Sequence, residues 1–196
     1  LGTLGAWTIE QSTDAPNGFS NSLKHTCTTA DSSPAAGDFI VVSHLIEAQN
    51  LQSLAYGTSD AKGLTISFWV KSNKTGSASF ELLQADNSNR HITPTYSINS
   101  ADTWEYKTIV IPADPSGAFN NDNGTGFEVN WWLNSGSTYS SGTNTTSWQS
   151  YVDGNRNASN LGVGSATSDY FAITGVQLEV GEQATPFEHR SYGDEL

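Results

Sequence analysis

The chain has 196 residues, of which 36% are hydrophobic and 14% charged, and its formal net charge is −12. This charge repels polyphosphates and anionic membrane surfaces, which argues against a nucleic-acid partner. No apolar run approaches the ~18 residues that a membrane span requires, which argues against membrane insertion.

The length and the lack of any linker-like stretch predict one domain over residues 1–196, with 181–196 as an extended C-terminal tail. Since the chain contains no methionine, not even at position 1, we expect it to be excised from a longer protein. Its single cysteine, Cys27, excludes an intrachain disulfide. No catalytic pattern accompanies this residue, so we expect a buried, inert thiol.

Alternation of apolar and polar residues with a period of two recurs along the chain and indicates β-strands separated by turn-rich segments. Residues 79–85 and 90–98 fit a hairpin. Strand and helix patterns do not alternate, which excludes parallel α/β folds and leaves a sandwich or a barrel. The predicted strands are 6–10, 23–28, 39–47, 64–71, 79–85, 90–98, 103–111, 127–134 and 170–180.

A long segment rich in Ser, Thr, Asn and Gly, residues 135–168, separates the last two of these strands. Its few anchors are Tyr139, Trp148 and Tyr151. We expect a long ordered loop with one short strand, and long loops often carry function.

Three of the predicted strands resemble the strand skeleton of jelly-roll carbohydrate-binding modules, which are galactose-binding-like β-sandwiches. They are Leu-Thr-Ile-Ser-Phe-Trp-Val-Lys-Ser at 64–72, Thr-Trp-Glu-Tyr-Lys-Thr-Ile-Val-Ile-Pro at 103–112, and the closing strand at 170–179. The resemblance implies an all-β jelly-roll of two antiparallel sheets. Such modules often carry an aspartate in the last strand near a structural calcium ion. This chain has Thr174 and Gly175 there, so a calcium ion is left open.

A second resemblance concerns the C-terminal part of the chain, residues 173–181 and 184–196. It is similar to the end of jelly-roll domains in tail-fibre and other structural proteins of marine bacteriophages. Together the resemblances imply a non-catalytic carbohydrate-binding or host-adhesion module of a phage virion. The expected location is virion or extracellular, and the expected partners are a polysaccharide or cell-surface glycan and other virion subunits.

A sugar-binding face needs flat rings that stack on the C–H side of a pyranose and short polar side chains that bond its hydroxyls. Strand alternation places two indoles out of phase with the apolar faces of their strands, Trp69 in 64–71 and Trp132 in 127–134. The second strand presents Asn130 and Glu128 on the same side. The predicted carbohydrate-binding residues are Trp69, Trp132, Asn130, Glu128, Tyr139 and Trp148.

An alternative is that the long loop or another subunit covers the outer face, so that these indoles complete a second small core. A purely structural domain that oligomerises or decorates the virion would use them in this way. In 103–111, Trp104 and Tyr106 share a phase with Val110, and we assign all three to the core.

Catalysis has little support in the sequence, and we expect no enzyme activity. A glycosidase needs two carboxylates held across a cleft, but the candidates lie in different strands without a recognisable signature. No histidine pair has the ligand spacing of a zinc site. A polysaccharide lyase or hydrolase is therefore the weaker alternative. The carboxylates considered are Glu47, Glu81, Glu105 and Glu128.

Overall fold

The computed structural model describes residues 4–86 and 88–189. Eleven β-strands, one short α-helix and two 3-10 turns lie within these ranges. The strands are β1 (Ala6–Ser12), β2 (Ser22–Thr29), β3 (Phe39–Glu47), β4 (Leu64–Ser72), β5 (Gly76–Gln84), β6 (Arg90–Ile92), β7 (Thr95–Ile98), β8 (Glu105–Ile111), β9 (Thr125–Ser135), β10 (Gln149–Ser150) and β11 (Tyr170–Val180). The helix α1 is Ser137–Ser140, and the 3-10 turns are Ala48–Leu54 and Asp153–Asn155.

The strands form two antiparallel sheets. The first sheet has the order β1-β2-β11-β4-β8, and the second has the order β10-β6-β5-β9-β3, with β7 also pairing with β5. Several neighbours within a sheet are distant in sequence, as where β11 pairs with both β2 and β4. The fold is therefore the jelly-roll sandwich that the sequence predicts.

Inward-facing side chains of both sheets make the core. The Phe68 ring of the first sheet meets Trp131 of the second edge-on, with ring centroids 5.6 Å apart, and Phe80 meets the same indole at 5.6 Å. Each fully buried side chain of this kind contributes about 1.5–3 kcal/mol of transfer free energy. The core therefore ties the two sheets together through a few large rings.

Most predicted strands are found within a few residues of their expected bounds, and 39–47 and 170–180 match the structure. The predicted hairpin is present, because β5 pairs with β6 and β7. The long loop carries one short strand, β10, as expected. In the predicted tail, residues 181–189 form no helix or strand, and residues 190–196 lie outside the described residues.

The side-chain assignment of β8 is wrong. Tyr106 and Val110 are 44% and 50% exposed, whereas Ile109 and Ile111 are buried. Tyr106 pairs across the sheet with Trp69 of β4, which faces outward, so Tyr106 must face outward too. Apolar residues at both phases of this strand left the alternation ambiguous, and pairing with β4 resolves it.

Candidate functional site

The outer face of the second sheet brings together four of the six predicted binding residues. Glu128, Asn130 and Trp132 alternate along β9, and Tyr139 of α1 packs against the Trp132 ring with centroids 5.5 Å apart. The predicted face of the strand is thus correct. Its accessibility is different from the expectation.

The Trp132 ring is closed off by the long loop, and only 1% of the residue is exposed. Phe39 and Tyr139 pack against its ring at 5.7 and 5.5 Å, and the Arg156 guanidinium lies 4.8 Å from its centroid. Asn130 is also buried. The expectation of an accessible ring at Trp132 is wrong. The alternative of a covered ring is correct for Trp132 but not for Trp69, which is only half-buried.

A buried carboxylate, Glu81 on β5, holds this covered face together. It accepts hydrogen bonds from Trp132 Nε1 at 3.0 Å and from Arg156 Nε at 3.0 and 3.1 Å. His91 Nδ1 lies 3.0 Å from its Oε1, and Asn130 Nδ2 donates to its Oε2 at 3.2 Å. Both carboxylate oxygens are therefore fully engaged within the protein.

Electrostatics keep this carboxylate charged. Burial by itself raises the pKa of Glu81, but the hydrogen bonds from His91 and the positive charge of Arg156 outweigh it and hold the pKa below its ordinary value. Arg156 also lies over the Tyr151 ring at 5.2 Å and donates to its hydroxyl. The cluster therefore fixes the long loop to the second sheet.

Trp148 has a structural environment. Its ring packs on Tyr56 and Phe127, with centroids 5.7 and 6.1 Å away, and its N–H donates to the carbonyl of Pro112 at 2.7 Å. The residue is half-buried at the edge of the core. It lies apart from the other predicted residues and anchors the loop.

Trp69 lies on the outer face of the first sheet, opposite to the face that carries Trp132. The two indoles therefore belong to different sheets and cannot contact one ligand across a single face. Trp69 is half-buried, and its ring lies 5.4 Å from the Tyr106 ring at an interplanar angle of 50°. Two rings thus form one partly open platform.

A third aromatic residue, Trp104, is tied to β4 by Asp14, which bonds both Trp104 and Lys71 of β4. Asp14 accepts from Trp104 Nε1 at 2.9 Å and from Lys71 Nζ at 2.8 Å. These bonds from Lys71 and Trp104 hold the pKa of Asp14 below its ordinary value. We call Trp69, Trp104 and Tyr106 the aromatic surface.

Polar side chains border the aromatic surface on the same face of the sheet. Thr174 of β11 is the cross-strand partner of Trp69. Thr108, which is exposed, lies two residues after Tyr106 in β8 and therefore on the same face of the sheet. With Asp14 and Lys71 they provide hydroxyl, carboxylate and ammonium groups around the rings, which is the chemistry that a glycan requires.

The sequence placed Trp69 on an outer face but did not place Trp104, Tyr106 and Asp14 beside it. The missing signal was the pairing of β4 with β8, which places Tyr106 directly opposite an outward-facing indole. Asp14 lies 90 residues from Trp104 in sequence, so no local pattern relates them.

Within residues 4–86 and 88–189, no three His, Cys, Asp or Glu side chains cluster in a way that could hold a metal ion. Thr174, at the position where the resembling modules often carry an aspartate, donates its hydroxyl to the carbonyl of Asn21. None of the described helices is long and apolar enough to cross a membrane.

No protein-family model matches the sequence, and no curated protein matches it significantly. Among solved structures, the chain is similar to the tailspike protein 4 enzymatically active domain of bacteriophage CBA120, with 17% identity and a TM-score of 0.49. That match covers 92% of this chain and 18% of the other. The C-terminal family 22 carbohydrate-binding module of Clostridium thermocellum Xyn10B has 13% identity and a TM-score of 0.46, with 92% and 86% coverage. A family 16 carbohydrate-binding module has 14% identity and a TM-score of 0.43, with 88% and 86% coverage.

Proposed function

We propose that this chain is a non-catalytic carbohydrate-binding module and that the glycan lies on the aromatic surface of the first sheet. The observation that carries the proposal is the clustering of Trp69 of β4, Tyr106 of β8 and Trp104, the residue just before β8, on one solvent-facing side of the first sheet. The C–H face of a pyranose stacks on such rings. Asp14 and Thr108 lie beside the aromatic rings and would hydrogen-bond the hydroxyls of the sugar.

The setting of the module is part of the same proposal. We place it in a virion-associated adhesion protein that recognises a host-surface polysaccharide. The sequence of residues 173–181, which resembles the end of phage tail-fibre domains, supports this setting. In the structure, the segment after this strand folds back on β11, where the backbone N–H of Glu188 donates to Gln177 at 2.8 Å.

Affinity electrophoresis and calorimetry with a panel of soluble bacterial and algal polysaccharides test the proposal. We expect Trp69→Ala and Tyr106→Ala to weaken binding by about tenfold, which corresponds to the loss of one stacking contact. Tyr139→Ala and Glu128→Gln change the opposite sheet and are the matched controls. Circular dichroism verifies that each variant is folded.

The alternative outcomes are distinct. Absence of binding to every polysaccharide would overturn the proposal, and loss of binding only in Tyr139→Ala or Glu128→Gln would move the site to the second sheet. Sedimentation that shows an oligomer dependent on Tyr106 would favour the structural virion role. New reducing ends or unsaturated products after incubation would contradict the non-catalytic assignment.

A further inference from the structure

One side of the sandwich is open between the edges of its two sheets. β3 is the last strand of the second sheet, and β1 is the last strand of the first. Two hollows of about 390 and 330 Å³ lie between β3 on one side and β1, β2 and β11 on the other. We call this the flank groove. Its apolar lining includes Ile9, Leu23, Ile40, Val42, Ile173 and Val176.

The flank groove is elongated along the strands. The two hollows share Ser43, and a third hollow of about 560 Å³ shares Val176 with the second. A β-bulge between Thr174 and Gln177 contains Gly175, at φ +59, where the chain bends. The groove therefore suits an extended chain better than a compact ligand.

Apolar side chains that would normally lie inside a sandwich are open to solvent here. Ile9 is 59% exposed, Leu23 42% and Val176 41%. Ile9 pairs with His25 across β1 and β2, and His25, which is buried, lines the same hollow. These are inner-face positions of an incompletely covered core, so an added layer of side chains would complete it.

The β3 strand provides a backbone edge beside this groove. It is nine residues long, Phe-Ile-Val-Val-Ser-His-Leu-Ile-Glu, and among the strands of residues 4–86 and 88–189 it pairs with β9 alone. It contains no Lys, Arg or Pro, which often protect an edge strand from pairing. Its pairing with β9 has register shifts at 40/41 and 46/47, so residues 41–46 form the regular part of this edge. Its free N–H and C=O groups can therefore bond an incoming strand.

The charge of this chain indicates which kind of strand β3 would accept. The whole chain carries a net charge of −12, which attracts a strand of positive charge. Two copies of the chain would repel each other at close approach. We propose that β3 accepts an added strand from a partner polypeptide of net positive charge, with alternating apolar side chains of that strand in the flank groove.

This role goes beyond glycan binding and uses a different surface. A synthetic peptide as long as β3, with alternating valine and threonine and lysines at one end, is the probe. Fluorescence anisotropy measures its binding, and hydrogen exchange measures protection of the amides of residues 39–47. We expect the peptide to bind and to slow exchange in this strand.

A second peptide of the same sequence carries N-methyl groups on alternate backbone amides. This change removes donors for strand pairing and keeps the side chains, so we expect binding to be lost. Equal binding of the two peptides would overturn strand addition. Failure of the first peptide to bind would overturn the proposal as well.

Protein variants locate the contact. Leu23→Lys and Ile9→Lys place a charge in the groove at exposed positions that tolerate it, and each is expected to weaken peptide binding by about tenfold. Val110→Lys, 50% exposed on the outer face of β8, is the matched control and should leave binding unchanged. Equal binding by all variants would overturn the assignment. A dimer of the protein alone that Leu23→Lys abolishes would replace the partner polypeptide with a second copy.

Discussion

The guanidinium of Arg156 and the carboxylate of Glu81 form a buried ion pair that fastens the long loop to the second sheet. Arg156 Nη2 lies 3.0 Å from Glu81 Oε2, and the two side chains are 16% and 0% exposed. The pair explains why Trp132 is covered, because the guanidinium that bonds Glu81 also lies on the Trp132 ring. The loop thereby covers Trp132 on the outer face of the second sheet.

Replacing Arg156 by alanine should destabilise the fold strongly. The variant leaves the Glu81 carboxylate buried without its cationic partner, and breaking a buried pair in this way costs roughly 3–5 kcal/mol. Urea denaturation followed by tryptophan fluorescence measures the free energy of unfolding. We expect the midpoint to shift to a markedly lower urea concentration.

An exposed pair provides the control for this prediction. Lys71 and Asp14 are 17% and 45% exposed, and such pairs contribute only about 0–1 kcal/mol. Lys71→Ala should therefore change unfolding little. If Arg156→Ala were equally mild, the ion pair would not fasten the loop.

Trp132→Phe should lower stability and leave glycan binding unchanged. Phenylalanine keeps most of the ring packing but removes the N–H that donates to Glu81 at 3.0 Å. Glu81 Oε2 keeps its bonds from Arg156 and Asn130, so the cost is that of one hydrogen bond to a charged group, about 1.5–3 kcal/mol. Thermal unfolding and affinity electrophoresis together check the two halves of the prediction, and a loss of glycan affinity in the folded variant would contradict the placement of the site on the first sheet.

Period-two alternation was sufficient to predict the strands and the outward side of β4 and β9. It depends only on which residues are apolar, so it reports the face of a strand and not what covers that face. Arg156 reaches Glu81 over a separation of 75 residues, and no local pattern relates them. The covering of Trp132 therefore could not be derived from the sequence.

The outward-facing Tyr106 of β8 shows a second kind of limit. This strand has apolar residues in both phases, since Tyr106 and Val110 alternate with Ile109 and Ile111. Its inward phase also carries Glu105 and Lys107, whose side chains pair with each other at 2.6 Å. Charged residues that neutralise each other can face inward at a sheet edge. The rule that apolar residues face inward and charged residues outward therefore fails for this strand.

Cys27 should resist thiol reagents in the folded protein. The residue is 1% exposed, and burial, with the nearby charge of Asp169, raises the pKa of its thiol. Both effects lower the amount of accessible thiolate. Ellman's reagent at neutral pH should react slowly with the native protein and rapidly in concentrated urea. Equal rates in the two conditions would contradict the buried position.

Stability should fall in acid through Glu105. Burial tends to raise the pKa of this carboxyl, but the bond from Lys107 and the backbone amides of Ser100 and Asn99 lower it to about 2, from an ordinary value of 4.5. A carboxyl whose pKa is depressed on folding stabilises the folded state above its unfolded pKa. That contribution is present above pH 4.5 and is lost as the pH falls to about 2.

Urea unfolding between pH 4.5 and about 2 should show a shallower decline in stability for Glu105→Gln than for the unmodified protein. Glu182→Gln, at an exposed position, is the control and should follow the unmodified curve, and a Glu105→Gln curve parallel to the unmodified one would remove Glu105 as the source.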